Sequence, residues 1–88
     1  MRKSSNKTII DVRSAGEFES GHAQDSINIP LHEIDDKIDE ISKMEGEIIL
    51  CCASGNRSGM AQQILQAKGI ICHNGGSWYE AENYALSL

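Results

Sequence analysis

Two short apolar runs stand out along the chain, Thr8-Ile9-Ile10-Asp11-Val12 and Glu47-Ile48-Ile49-Leu50-Cys51-Cys52. Both are rich in branched side chains and lack a regular polar alternation, the pattern of a strand covered on both faces, so both are expected inside a parallel sheet. Ser26-Ile27-Asn28-Ile29-Pro30 alternates instead and is stopped by the only proline, which predicts a short strand. Ile70-Ile71-Cys72 predicts a final strand.

The segments between these runs have helical period. Leu31, Ile34, Ile38 and Ile41 recur at three- and four-residue intervals among Glu33, Asp35, Asp36, Lys37, Asp39 and Glu40, giving one apolar stripe and one solvated acidic face. Met60, Ala61, Ile64 and Leu65 are expected on the buried face of another helix, which ends at Gly69. Ser14-Ala15-Gly16-Glu17 and Ser77-Trp78-Tyr79-Glu80 both have the S-x-x-E form of a capping box. The first opens a helix of one or two turns closed by Gly21, and the second opens a C-terminal helix ending near Leu86.

Strands alternating with helices predict an α/β fold with a mainly parallel central sheet and helices on both faces. In such sheets ligands lie beyond the carboxyl ends of the strands. Those ends gather Asp11 and Arg13, then Cys52 with its loop, then His73 to Gly76.

A length of 88 residues with 40% hydrophobic content accommodates one small domain, so a single site is expected. The net charge of −5 and the scattered basic residues argue against a nucleic-acid partner. No apolar stretch approaches the ~20 residues of a membrane span, and no apolar segment follows the charges of the first seven residues. The expected compartment is the cytoplasm, with the periplasm as the alternative for a chain whose signal peptide has been removed. Three cysteines cannot all pair within one chain, and Cys51 and Cys52 are adjacent, so at least one free thiol is expected. Without a C-x-x-C pair, and with His22, His32 and His73 far apart, a structural zinc site is not expected.

Cys52 carries the chemical signal. A thiol at the end of a strand, followed by the small and polar residues Ala53, Ser54, Gly55 and Asn56 and then a helix start, is placed to ionise. Successive backbone N–H groups in such a turn can converge into an anion nest, the helix N-terminus adds positive potential and Arg57 adds a full charge. Gly55 suits a turn that needs positive φ, while Ala53, Ser54 and Ser58 keep the loop open. Strand residues alternate faces, so Cys51 points away and is expected to be a buried hydrophobe, as is Cys72.

Asp11-Val12-Arg13 with Glu17-Phe18 and Gly21-His22, then Asn28-Ile29-Pro30, then Cys52-Ala53-Ser54-Gly55-Asn56-Arg57-Ser58, resemble the rhodanese family in order and spacing. The resemblance covers roughly residues 8 to 86 and is nearest to small single-domain bacterial rhodaneses of the phage-shock thiosulfate sulfurtransferase type. It implies a three-layer domain in which Cys52 carries sulfur as a persulfide. The donor would be thiosulfate or a similar small anion, and the acceptor cyanide, a thiol or a protein. It also implies that Ala53, Ser54, Gly55, Asn56, Arg57 and Ser58 bind the donor, with Arg57 as the charged member, and that Asp11 and Arg13 brace the site. No metal or organic cofactor is called for, since a thiolate, oriented backbone donors and a cation suffice.

Two other readings stay open at this level. Counted from Cys51, the loop has the C-x5-R-S form of cysteine-dependent phosphatases and arsenate reductases, although Leu50 stands where tyrosine phosphatases usually place His. A non-catalytic rhodanese-like module that binds a partner protein is the other.

Overall fold

The computed structural model describes residues 7–87. Strand β1 (Lys7–Asp11) is followed by helix α1 (Ala15–Glu19) and a two-residue strand β2 (Ile27–Asn28). A 3-10 segment (Leu31–Lys37) continues into α2 (Ile38–Ser42), and β3 (Glu47–Cys52), α3 (Asn56–Ala67), β4 (His73–Ser77) and α4 (Trp78–Leu86) complete the described order. The strands lie in the order β2-β1-β3-β4, and every pairing is parallel.

The alternation of side chains along each strand divides the core in two. Ile10, Val12, Ile48, Leu50 and Cys52 face the layer made by the 3-10 segment, α2 and α3, where they meet Ile34, Ile41, Ala61 and Leu65. Ile9, Ile49 and Cys51 face the other way, against Ala81 and Trp78 of α4. The result is the α/β sandwich expected from the sequence, with a fully parallel sheet among the described residues.

Both capping boxes form. Ser14 and Glu17 satisfy each other's backbone donors at the start of α1, and Ser77 and Glu80 do the same at the start of α4. The stripe of Leu31, Ile34, Ile38 and Ile41 also faces the core, with its first half wound as a 3-10 helix whose three-residue turn brings Leu31 and Ile34 onto one side.

Two expectations need correction. The last strand is not Ile70–Cys72 but His73–Ser77. Gly69, at φ +82, closes α3, and Ile70 is still part of that cap because its N–H reaches back to the Leu65 carbonyl at 3.0 Å. Ile71 is left 83% exposed. The glycine-rich segment pairs with β3 instead, because α4 packs so closely behind it that only glycine fits. A Cβ on Gly75 would stand 2.7 Å from Ile49 Cγ2 and 3.0 Å from Ala81 Cβ. Met60 is the second correction, since it is 55% exposed. Ala61 and Leu65 are buried as expected and Ile64 packs against the core, with Ser58 completing the buried stripe of α3 in place of Met60.

Candidate active site

The order β2-β1-β3-β4 makes the chain change direction between β1 and β3, and ligands in open parallel sheets bind outside such a switch point. Asp11 ends β1 there and Cys52 ends β3.

The two adjacent thiols have opposite surroundings. Cys51 lies in the α4-side core, where burial first and the nearby Asp11 second push its thiol up to about 12. Cys52 lies on the α3 side, 1% exposed at the floor of its loop. Burial opposes its ionisation, but hydrogen bonds from the Ser58 hydroxyl and from the amides of Ser58, Gly55 and Ser54 outweigh that and bring the thiol down to about 7. The Gly55 N–H donates to Sγ at 2.9 Å, and Ser58 Oγ lies 3.5 Å away. Gly55 reaches this position with φ +105, the left-handed conformation the loop was expected to need. It is also the N-cap of α3 and has no side chain to occupy the free amides of the first turn.

The remaining loop residues divide by exposure. Ala53, Ser54 and Asn56 are exposed, Gly55 and Arg57 are half-buried, and Ser58 is buried beside the sulfur. Arg57 does not stand free. Its guanidinium makes a two-pronged contact with Glu17 of α1, Nη1 to Oε1 at 2.7 Å and Nη2 to Oε2 at 3.0 Å. The hydrogen bond from Arg57, followed by that from the Ser14 amide, holds the Glu17 carboxyl down to about 2. The cation of the loop is therefore partly neutralised, and an anion entering the loop competes with Glu17 for it.

Asp11 and Arg13 form a separate buried pair. Arg13 Nε and Nη2 meet the Asp11 carboxylate at 2.9 and 2.7 Å, and Nη2 also donates to the Gly21 carbonyl at 2.6 Å. Asn28 Nδ2 ties the Asp11 and Arg13 carbonyls together at 3.0 Å each, and the guanidinium lies 5.5 Å from the Trp78 ring centre. This pair fastens the end of β1 to the chain after α1 and to α4. Among the described residues none of the side-chain hydrogen bonds of this pair goes to the cysteine loop.

Two side chains at the site were not singled out as site residues from the sequence. Glu17 is legible as a capping residue, but nothing in the order of residues joins it to Arg57, 40 positions later. Asn74 of β4 donates from Nδ2 to the Gly55 carbonyl at 3.0 Å and accepts from the Ser58 hydroxyl at 2.6 Å. Its sequence signals are a polar residue before a Gly-Gly pair and a place in the His73 to Gly76 segment expected at the ligand edge. Among the described residues no three His, Cys, Asp or Glu side chains are grouped to hold a metal ion, and no helix is long and apolar enough to cross a membrane.

The chain is similar in sequence and fold to known proteins. The thiosulfate sulfurtransferase PspE of Escherichia coli (strain K12) is 34% identical over 61 residues, covering 68% of this chain and 59% of that protein. The thiosulfate sulfurtransferase GlpE of Pseudomonas syringae pv. syringae is also 34% identical over 61 residues, covering 69% of this chain and 57% of that protein. A solved structure described as a rhodanese with anions from E. coli superposes with a TM-score of 0.75 at 30% identity, covering 84% of this chain and 89% of that one. The chain spans between 16% and 61% of the length of the curated relatives it matches. The profile of the rhodanese-like domain matches residues 1–84, and this chain belongs to the rhodanese-like domain family, whose named members include sulfurtransferases.

Proposed function

We propose that this chain is a sulfurtransferase that carries sulfane sulfur as a persulfide on Cys52, taking it from thiosulfate or a similar small anion. The observation that carries this reading is the loop geometry, in which the Gly55 N–H and the Ser58 hydroxyl converge on Cys52 Sγ while Cys51 lies in the opposite core; the same donors draw Cys52 to about 7 and burial pushes Cys51 to about 12. At neutral pH about half of the Cys52 population is thiolate, against a few per cent for an ordinary thiol of pKa ~8.5.

The reaction runs in two displacements. The Cys52 thiolate attacks the outer sulfur of thiosulfate, the S–S bond of the donor breaks, and its electron pair leaves on sulfite. The outer sulfur of the resulting persulfide is then attacked by the acceptor, cyanide, a thiolate or a protein thiolate, and Cys52 departs as thiolate. In each step the loop amides of Ser54, Gly55 and Ser58 stabilise the negative charge on Cys52. Ala53, Ser54 and Asn56 are exposed on the loop, where the donor would meet them. Arg57 meets the anion in exchange for part of its contact with Glu17, and Asp11 with Arg13 keeps the floor of the site in place. The unit acts as a single sulfur-transfer domain. Turnover of a persulfide draws on reduced thiols, which supports a cytoplasmic setting.

The phosphatase frame would need Cys51 as nucleophile, and the geometry opposes it. That thiol is buried on the far side of the sheet, and Sγ of Cys52, not Cys51, accepts the Gly55 amide.

The test is intact mass without reductant after incubation with thiosulfate, for the protein and for Cys52→Ser. A gain of one sulfur atom, removed by cyanide and absent from Cys52→Ser, is the expected result. A gain that persists in Cys52→Ser, or no gain in either protein, would remove this reading.

A further inference from the structure

Ser58 has one hydroxyl proton and two acceptors within reach. Its Oγ lies 2.6 Å from Asn74 Oδ1 and 3.5 Å from Cys52 Sγ. A hydroxyl can donate only once, and the short contact to oxygen takes the proton while the sulfur is neutral.

The Asn74 amide cannot be turned round. Nδ2 donates to the Gly55 carbonyl and Oδ1 accepts from the Gly76 N–H, each at 3.0 Å. A flip would set donor against donor and acceptor against acceptor, so the hydrogen-bond network fixes Oδ1 as the atom facing Ser58. The fold also makes room for this amide. A Cβ on Gly59, inside α3 where glycine weakens a helix, would come 3.3 Å from Asn74 Nδ2. Gly55 does not depend on Asn74 for its position, because its carbonyl also accepts the Gly59 N–H at 3.0 Å.

We infer that Asn74 is a positioning residue for Cys52, acting as the alternative acceptor that holds the Ser58 proton until negative charge develops on the sulfur. When Cys52 ionises, the thiol proton leaves to solvent and the Ser58 hydroxyl rotates from Asn74 to Sγ. Asn74 Oδ1 keeps the Gly76 N–H, so no acceptor is orphaned. When the sulfur is persulfidated its charge moves to the outer atom, and the hydroxyl returns to Asn74. The competition keeps Cys52 less acidic than the same loop would make it alone. That suits a sulfur carrier, because thiolate nucleophilicity falls with pKa and the best attacking thiol has a pKa near the ambient pH.

Charged and titratable groups on the packed elements form a common background. Arg57 of α3 is paired with Glu17 of α1, Asp11 of β1 with Arg13, and His73 of β4 with Glu47 of β3. Glu80 of α4 is held by Ser77, and Cys51 of β3 faces the other side of the sheet. Among the described residues none of these side chains hydrogen-bonds to Ser58 or Asn74.

The inference rests on Cys52 as the nucleophile, and its test does not depend on sulfur transfer. The rate of Cys52 alkylation by iodoacetamide is followed against pH by mass mapping in the parent protein, Asn74→Ala, Asn74→Leu, Ser58→Ala and Asn74→Ala/Ser58→Ala. Loss of Asn74 is expected to lower the midpoint by about half a unit, a roughly threefold rise in the thiolate-to-thiol ratio. Ser58→Ala is expected to raise it, and Asn74→Ala to add nothing in that background. Asn74→Leu, which keeps the shape, guards against a variant that fails to fold. A midpoint that stays put or rises on loss of Asn74, or a fall that persists without Ser58, would overturn the inference. A purely structural role would lower thermal stability without moving the midpoint downward. Failure of the sulfurtransferase reading would show instead as a missing persulfide mass with the midpoint shift intact.

Discussion

Gly75→Ala is expected to destabilise the protein although it adds a single methyl group. Gly75 has no positive φ, so the substitution tests space alone. The new Cβ would lie 2.7 Å from Ile49 Cγ2, 3.0 Å from Ala81 Cβ and 3.2 Å from the Leu50 carbonyl oxygen. Ile49 and Ala81 are both fully buried, so neither has solvent to move into. Overpacking of this kind costs about 1–3 kcal/mol, and three simultaneous close contacts place it in the upper half of that range. Alanine also stiffens the unfolded chain, offsetting about 0.4–1 kcal/mol. The net loss is about 1–2.6 kcal/mol, which for a domain of this size lowers Tm by about 4–20 °C. Urea and thermal unfolding under reducing conditions, followed by the fluorescence of Trp78, the only tryptophan in the chain, measure it directly. Gly16→Ala is the control, since a Cβ there meets nothing within 4 Å and should leave stability unchanged or slightly raised. If Gly75→Ala falls within about 0.5 kcal/mol of the parent, the account of why β4 is built from glycine is wrong.

Other consequences are open to measurement. Alkylation of Cys52 should rise with pH around a midpoint of about 7, while Cys51, with its thiol at about 12, stays unmodified in the folded protein; a Cys52 midpoint above 8 by peptide mass mapping would contradict the loop geometry. Glu17 is depressed from 4.5 to about 2, so its contribution to stability is fully present above pH 4.5 and is lost as pH falls through about 2. Glu17→Gln lacks that component, and the urea midpoints of the two proteins should converge between pH 4.5 and 2; parallel curves would show that the pair with Arg57 does not persist in solution. Asp11→Ala leaves the Arg13 guanidinium buried without its carboxylate and should cost about 3–5 kcal/mol, whereas Asp11→Leu with Arg13→Met recovers most of it. Equal urea midpoints for Asp11→Ala and the parent would mean that Arg13 finds water.

The parts of this fold written in local chemistry were legible before the structure. β1 and β3 announce themselves as branched apolar runs, both capping boxes are four-residue patterns, and Gly55 marks its own turn. Cys52 was legible for the same reason, since strand end, turn and helix start lie within a few consecutive residues. β4 was not, because a strand of His, Asn, Gly, Gly and Ser has no hydrophobic period, and its place is set by how closely α4 approaches β3. The segment His73 to Gly76 was expected at the ligand edge, but the role of Asn74 was not legible, because its contacts with Ser58 and Gly55 exist only once β4 is in register. The engagement of Arg57 by Glu17 is likewise a property of the folded molecule, because β2, α2 and β3 separate α1 from α3 along the chain and only the fold brings the two side chains together.

The opposite orientation of Cys51 and Cys52 also bears on oxidation. Peroxide acts on thiolates, so Cys52 is the thiol exposed to that chemistry, and its first product is a sulfenic acid. Redox-sensing cysteines are often followed by a resolving thiol that traps this species as a disulfide before it oxidises further. Cys51 is one residue away, but the pleat places its sulfur in the other core, beyond reach of condensation. Return of an oxidised Cys52 to the free thiol therefore falls to a thiol other than its neighbour, so under the proposed carrier role sustained turnover would depend on the supply of small thiols around the protein.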